Sequence, residues 1–327
     1  MATYTTNYNL HQWAAENPFL RTDFNGDFLK IDTALGELAA ERALIPDLSY
    51  NVYNLLLQNE YDGKTTGQKR GLLFDGFRTL EGVAQRSSAL LHDGKSALVL
   101  HRSGQSDVGW GYSGNEEKAA GRSHTAVGGG LWTGLTYRIY NNVQYASTTE
   151  VHYTVQVDGK TVLTGTQRSP SAPVGSYCED TLTFSQALPV CAGTVCAVTL
   201  ETNGSFFTPG LDSAGTALGG TFHFTPVTGT SASLTSVTYA LPACGGLRAW
   251  VRHTGGTAAL AVKQGSLQHS LTPAAQRQTV NLQGAACTES EFTLSQALTA
   301  GDYAVVLTLS LGESDTSAVY DYGVLLR

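Results

Sequence analysis

The sequence predicts a mainly β protein: a short N-terminal α-helical, coiled-coil-forming oligomerisation segment followed by two tandem antiparallel β-sandwiches of jelly-roll style. Three observations lead there. Apolar residues recur at helical spacing before about residue 85 and at every second position after about residue 96. The later runs are short and separated by Gly, Pro, Ser and Thr turns, which suits sandwiches better than βαβ units. Finally, a stretch of about twenty residues occurs twice.

The helical part is read first. Phe24, Phe28, Ile31, Leu35 and Leu38 are spaced 4, 3, 4 and 3, one apolar stripe on a helix running from Asp27 to Leu44 and stopped by Pro46. The spacing fits an oligomerisation seam between chains and, as well, a helical hairpin within one chain. A seam of about two heptads is marginal alone and gains from neighbouring copies. A second helix is expected from Asp47, whose carboxylate can cap free N–H groups, through "DLSYNVYNLLLQNEY". A third, weaker one is expected in "GQKRGLLFDGFRTL". The triplet Asp23-x-Asn25-x-Asp27 invites a calcium-loop reading, but Phe28 and Ala34 occupy the places of the required Gly and Glu. No metal site and no cofactor are therefore expected.

The β part is read first in "EVHYTVQVDGKTVLTGT" (150–166), where Val151, Tyr153, Val155 and Val157 alternate inward and Asp158-Gly159 marks a hairpin. "TLTFSQALPVCAGTVCAVTL" (181–200) and "EFTLSQALTAGDYAVVLTL" (291–309) share Ser-Gln-Ala-Leu, a following Gly and an alternating strand. Two sandwiches, 86–227 and 228–327, account for this, joined through the polar stretch 225–236. The helical region spans 27–85 and overlaps an attachment segment, 1–35.

Bulk properties narrow the function. With 327 residues, 42% hydrophobic, 14% charged and 36 Gly, the chain is ordered and turn-rich. Its net charge of −7 lacks the basic stripe that nucleic acid requires. No apolar run reaches the length of a membrane helix and no secretory signal is read at the start, so membrane insertion is not expected. Five cysteines without paired spacing read as reduced, mostly buried thiols.

Neither a nucleophile elbow, a zinc-protease motif nor a phosphate loop is present. Ser123 and His124 are adjacent, which puts them on opposite faces of a strand. Paired carboxylates for glycoside cleavage leave no sequence signature. The stretch 106–137 sets Trp110, Tyr112, Trp132 and Tyr137 among glycines and small polar residues, a composition suited to stacking on sugars, though aromatics among glycines more often serve sandwich packing or subunit contacts.

Thr6, Asn7, Tyr8 and Leu10, followed by Asp23, Phe24, Asn25, Asp27, Phe28, Lys30, Ile31, Asp32 and Ala34, form a pattern over the first 80 or so residues. It resembles the start of tail-fibre and baseplate-associated proteins of phages and prophages, especially those from Gram-positive gut bacteria. The resemblance implies a non-enzymatic receptor-binding protein of the virion, assembled in the host bacterial cytoplasm. Its N-terminus would dock on a tail or baseplate protein, the chain would form a homotrimer, and the β domains would meet host cell-surface carbohydrate. A head fibre or capsid decoration protein is the alternative within that class, and a glycan-degrading tail hydrolase the alternative among enzymes.

Overall fold

The computed structural model describes residues 3–18, 20–39, 66–69, 72–143, 145, 147–202 and 207–327. The chain is mainly β and divides into two compact units, Met1–Gly63 and Lys64–Arg327.

In the first unit a two-strand hairpin, Thr3–Tyr4 with His11–Gln12, precedes a helix over residues 21–39. The helix starts six residues before Asp27, so the Asp23-x-Asn25-x-Asp27 triplet lies within its first turns rather than in a loop. Asp27 is buried because its carboxylate is used: it accepts the His11 backbone N–H at 2.7 Å and faces His11 Nδ1 at 3.0 Å and Lys30 Nζ at 3.2 Å. Lys30 also donates to the Asn9 carbonyl at 2.6 Å. The apolar stripe is partly exposed, with Phe24, Phe28, Ile31, Leu35 and Leu38 between 38% and 59% exposed and Phe24 packed edge-on against Phe28 at 4.5 Å. The helix expected from Asp47 falls outside the described residues.

The third expected helix is a β hairpin instead, Thr66–Lys69 paired with Leu72–Asp75. Leu72, Leu73, Phe74 and Asp75 are all buried, so the strand is covered on both faces and carries no alternation to distinguish it from a short helix.

The second unit contains two sandwiches, one interrupting the other. The strands Leu72–Asp75, Val83–Arg86, Leu90–His92 and Leu98–His101 belong with those after residue 231. The chain between them, from Val108–Gly109 to Thr221–Pro226, folds as its own pair of sheets. The expected boundary at residue 86 therefore falls inside the outer sandwich, and the arrangement is an insertion rather than a tandem. Pairing between positions over a hundred residues apart leaves no local trace.

The principal strands of the inserted sandwich, in chain order, are Val108–Gly109, Ala119–Thr125, Gly130–Asn141, Glu150–Val157, Lys160–Arg168, Ser176–Val190, Val195–Thr202 and Thr221–Pro226. Those of the outer one are Leu72–Asp75, Ser231–Ser236, Leu247–Thr254, Thr257–Gln264, Leu267–Ser270, Ala286–Leu294, Gly301–Ser310 and Thr316–Leu326. Counted from first to eighth, one sheet in each sandwich reads sixth, third, eighth, first, and the other reads fifth, fourth, seventh, second. This is the strand order of an eight-stranded jelly roll, present twice. The Ser-Gln-Ala-Leu copies lie late in the sixth strand of the inserted sandwich and just past its end in the outer one, in both cases before the chain crosses to the other sheet as the seventh.

Each sandwich has its own core. Leu234, Val251, Val305, Leu307 and Val324 lie in the outer one, and Trp132, Leu135, Val151, Val155, Val198 and Phe222 in the inserted one. The hairpin at Asp158-Gly159 forms with both residues at positive φ, 50° and 77°, as a tight turn matched to strand twist demands. All five cysteines are unbridged, with Cys191, Cys196 and Cys287 buried. No helix among the described residues is long and apolar enough to cross a membrane.

Candidate functional site

The four aromatic candidates separate into two kinds. Trp132 is fully buried, stacks on Phe224, meets Phe184 edge-on and Phe222 at a tilt, and donates its indole N–H to the Gly134 carbonyl at 2.9 Å. Tyr137 is also buried and donates to Asp180 at 2.7 Å, and burial pushes its hydroxyl pKa far up. A ligand could reach either only through an opened core, so their assignment as glycan-stacking residues is corrected: both are packing residues.

The cause is a bulge. Residues 132 and 137 differ by an odd number and would face opposite ways on a regular strand. The register with both neighbouring strands jumps between Trp132 and Gly134, turning Leu135, Tyr137 and Ile139 to the same interior as Trp132. At Gly134 a Cβ would overlap the Leu182 carbonyl, so the bulge needs glycine.

Trp110 and Tyr112 are half-buried, each under a guanidinium. Arg122 Cζ lies 4.7 Å from the Trp110 ring, and Trp110 packs edge-on against the core residue Phe222 at 4.9 Å. Arg122 is paired with Asp212, whose carboxyl is drawn down to about 2 by the Thr216 N–H and by Arg122. Arg138 Cζ lies 4.2 Å from the Tyr112 ring. Tyr112 rests against Gly219, where a side chain would collide with its ring, and its hydroxyl lies beside Gly220. Burial first, then the Glu179 charge, pushes its hydroxyl up to about 12.

Arg138 belongs to the outward face of the sheet that holds the third and sixth strands, and the bulge decides which residues share that face. Thr136, Arg138 and Tyr140 point out, opposite Thr181, Glu179 and Tyr177 on the sixth strand. Arg138 Nε and Glu179 are 3.5 Å apart, the Tyr140 and Tyr177 rings lie 5.0 Å apart, and the Tyr177 hydroxyl donates to Glu116 at 3.1 Å. Glu116 lines a shallow depression of about 410 Å³ with Gly114, Asn115, Glu117, Leu211 and Gly215.

A chain of polar contacts crosses the same face. Asp107 Oδ2 lies 2.9 Å from His223 Nδ1, His223 Nε2 lies 2.7 Å from Thr136 Oγ1, and Thr136 Oγ1 lies 3.1 Å from Thr181 Oγ1. Asp107 Oδ1 accepts the Phe224 N–H at 2.7 Å. An ionised carboxylate only accepts, so Nδ1 of a neutral His223 carries the hydrogen, Nε2 accepts from the Thr136 hydroxyl, and Thr181 donates to Thr136. For Asp107, desolvation is outweighed by the bonds from His223 and Phe224, and its carboxyl sits below the usual range.

The outer sandwich supplies an internal comparison. The shared Ser-Gln-Ala-Leu aligns Glu179 with Glu289 and Thr181 with Glu291, and strand register then aligns Arg138 with Arg252 and Thr136 with Trp250. Both copies thus carry an Arg–Glu pair at one place. In the outer sandwich it is buried: Arg252 meets Glu289 at 2.9 Å and Asp321 at 3.6 Å, Arg248 meets Glu291 at 2.7 Å, and Arg277 reaches both glutamates. Trp250 there is fully buried against Gly323. The inserted copy keeps the pair but leaves it open, with the hydroxyl of Thr136 in place of the indole.

Apart from Tyr112, the residues of this face were missed in the sequence. Thr136, Arg138 and Tyr140 were hidden by the bulge, and Asp107, Glu116, Tyr177, Glu179, Thr181 and His223 by distance along the chain. Among the described residues, no group of three or more His, Cys, Asp or Glu side chains is arranged to hold a metal ion.

No protein-family model matches the chain, and no curated protein matches it. Among solved structures, a cycloisomaltooligosaccharide glucanotransferase of Paenibacillus sp., complexed with cycloisomaltoheptaose, is similar at 10% identity and a TM-score of 0.20, covering 71% of this chain and 46% of that one. Dimeric latent PorU of Porphyromonas gingivalis gives 9% identity and a TM-score of 0.24, covering 72% of this chain and 22% of that one. The tandem CBM22-1-CBM22-2 domain of Paenibacillus barcinonensis Xyn10C gives 9% identity and a TM-score of 0.16, covering 81% and 94%. This chain thus spans less than half of the first two structures. Likeness at this level identifies neither a family nor a function.

Proposed function

We propose that the protein is an adhesive, receptor-binding component of a phage tail. It docks on a tail or baseplate protein through residues 1–35, clusters as a homotrimer through the Phe24/Phe28/Ile31/Leu35/Leu38 stripe in a short coiled coil, and meets host-surface carbohydrate with its β domains. The observation that carries the binding reading is the open face around Tyr112, Arg138, Tyr140, Tyr177 and Glu179. It combines aromatic rings for sugar faces with fixed charges and hydroxyls for sugar hydroxyl groups. The exposed helical stripe supports clustering, because five large apolar side chains in water on one helix face gain by pairing with sister copies. Clustering would in turn make weak sites sufficient, since joined sites gain ~10²-fold or more in avidity.

The test is a glycan array probed with the full-length protein and with Tyr112→Ala and Arg138→Ala. Capture is expected for the unaltered protein and a loss of ~10-fold or more for each variant, in line with the energetic weight of aromatic and Arg contacts. Variants that bind like the unaltered protein would remove the face from the proposal.

A further inference from the structure

We propose that the same face cleaves carboxylic esters, with Thr136 as nucleophile, His223 as general base and acid, and Asp107 as the residue that positions His223. The preferred substrate is a short O-acyl group, such as acetyl, on a hydroxyl-rich ligand. Only the sugar nature of that alcohol rests on the adhesive reading; the ester chemistry stands on the relay itself.

Three features carry the inference. The geometry is that of an acid–imidazole–hydroxyl triad: the carboxylate lies on Nδ1 at 2.9 Å and the hydroxyl on Nε2 at 2.7 Å. Asp107 is locked by the Phe224 N–H on its other oxygen, which fixes the imidazole in the tautomer that can take a proton from Thr136. The outer sandwich, built on the same strand order, has Trp250 at the place of Thr136, Glu291 at that of Thr181 and Leu325 at that of His223. Jelly-roll packing therefore does not require the relay, and the inserted copy carries it on a face that solvent reaches, with Asp107 and His223 side chains 52% and 32% exposed.

The reaction balances without a cofactor. Thr136 Oγ attacks the ester carbonyl carbon as its proton passes to His223 Nε2. The tetrahedral intermediate collapses, the bond from the carbonyl carbon to the alcohol oxygen breaks, and the alcohol leaves with the proton from His223. A water molecule, giving its proton to the same Nε2, then attacks the acyl group on Thr136; the acid departs and His223 returns the proton to the threonine oxygen. The Thr181 hydroxyl, 3.1 Å from Thr136 Oγ1, can turn to donate to the negative oxygen, and Arg138, two residues along on the same strand face, adds positive charge to that face.

The experiment uses full-length protein and p-nitrophenyl acetate, with a fluorophosphonate probe followed by mass spectrometry. Turnover above buffer and one adduct on the peptide containing Thr136 are expected. Thr136→Val and His223→Gln should each lower kcat/KM by ~10²-fold or more, and Thr136→Ser should restore turnover. Asp107→Asn should lower kcat and move the acid limb of the pH profile to lower pH, which a purely structural residue would not do. Turnover no higher than buffer, or equal in Thr136→Val, overturns the proposal. Thr136→Val is also put on the glycan array: capture retained while turnover is lost separates the ester chemistry from adhesion, and capture without turnover in the unaltered protein sinks the chemistry alone.

Discussion

Asp75 offers a quantitative test of the outer core. It lies opposite Tyr322 in the sheet, fully buried, with Oδ1 accepting the Phe77 N–H at 2.9 Å and Oδ2 unbonded among the described residues. Burial, reinforced by the Asp321 charge and opposed by the Phe77 bond, raises its carboxyl from 3.8 to about 7. A raised folded-state pKa means that the native state holds the proton more tightly than the unfolded chain. The stabilising contribution is complete below about pH 4 and is lost as pH rises through about 7. Roughly three units correspond to about 4 kcal/mol, of which roughly 3 kcal/mol falls between pH 5 and pH 8. Asp75→Asn keeps an oxygen for Phe77 and cannot ionise. Relative to the unaltered protein, the variant should gain roughly 3 kcal/mol on moving from pH 5 to pH 8. Urea unfolding followed by tryptophan fluorescence at the two pH values measures this double difference, in which the titration of groups remote from Asp75 cancels. A difference that stays constant with pH would refute the buried, proton-holding carboxyl.

Two further outcomes follow from packing and association. Gly323→Ala places a methyl group into the ring of fully buried Trp250 and should cost ~1–3 kcal/mol, read as a lower urea midpoint; an unchanged midpoint would show that the indole has room to move. Leu35→Glu with Leu38→Glu puts two charges on the exposed stripe and should convert a clustered full-length protein into single chains by sedimentation. If the unaltered protein already sediments as single chains, or the doubly substituted one stays clustered, the stripe is not a seam.

What the sequence revealed depended on how local the determining forces were. Asp158-Gly159 was legible because both residues tolerate the backbone that a tight hairpin needs, and alternation around it put Val151 and Val155 in the core. The Ser-Gln-Ala-Leu copies were legible as a repeat, and they mark one crossover in two sandwiches of identical strand order. The insertion was not legible, since the link between Leu72–Asp75 and Thr316–Leu326 is made by hydrogen bonds across more than two hundred residues of chain. Little of the candidate site was visible. Tyr112 was found by composition, whereas one bulged residue reversed the faces of Trp132 and Thr136. The relay joins positions 107, 136, 181 and 223, which only the folded sheet assembles.

The interrupted topology also governs how the protein is made. On a ribosome, residues 72–101 emerge long before the strands after 231 that will flank them, so the outer jelly roll waits unfinished while the inserted one has all eight of its strands. Closure of the inserted lobe brings its two ends together and returns the nascent chain to the place it left, turning a wait of more than a hundred residues into a short bridge. A lesion that slows folding of that lobe would therefore be felt first as misassembly of its host.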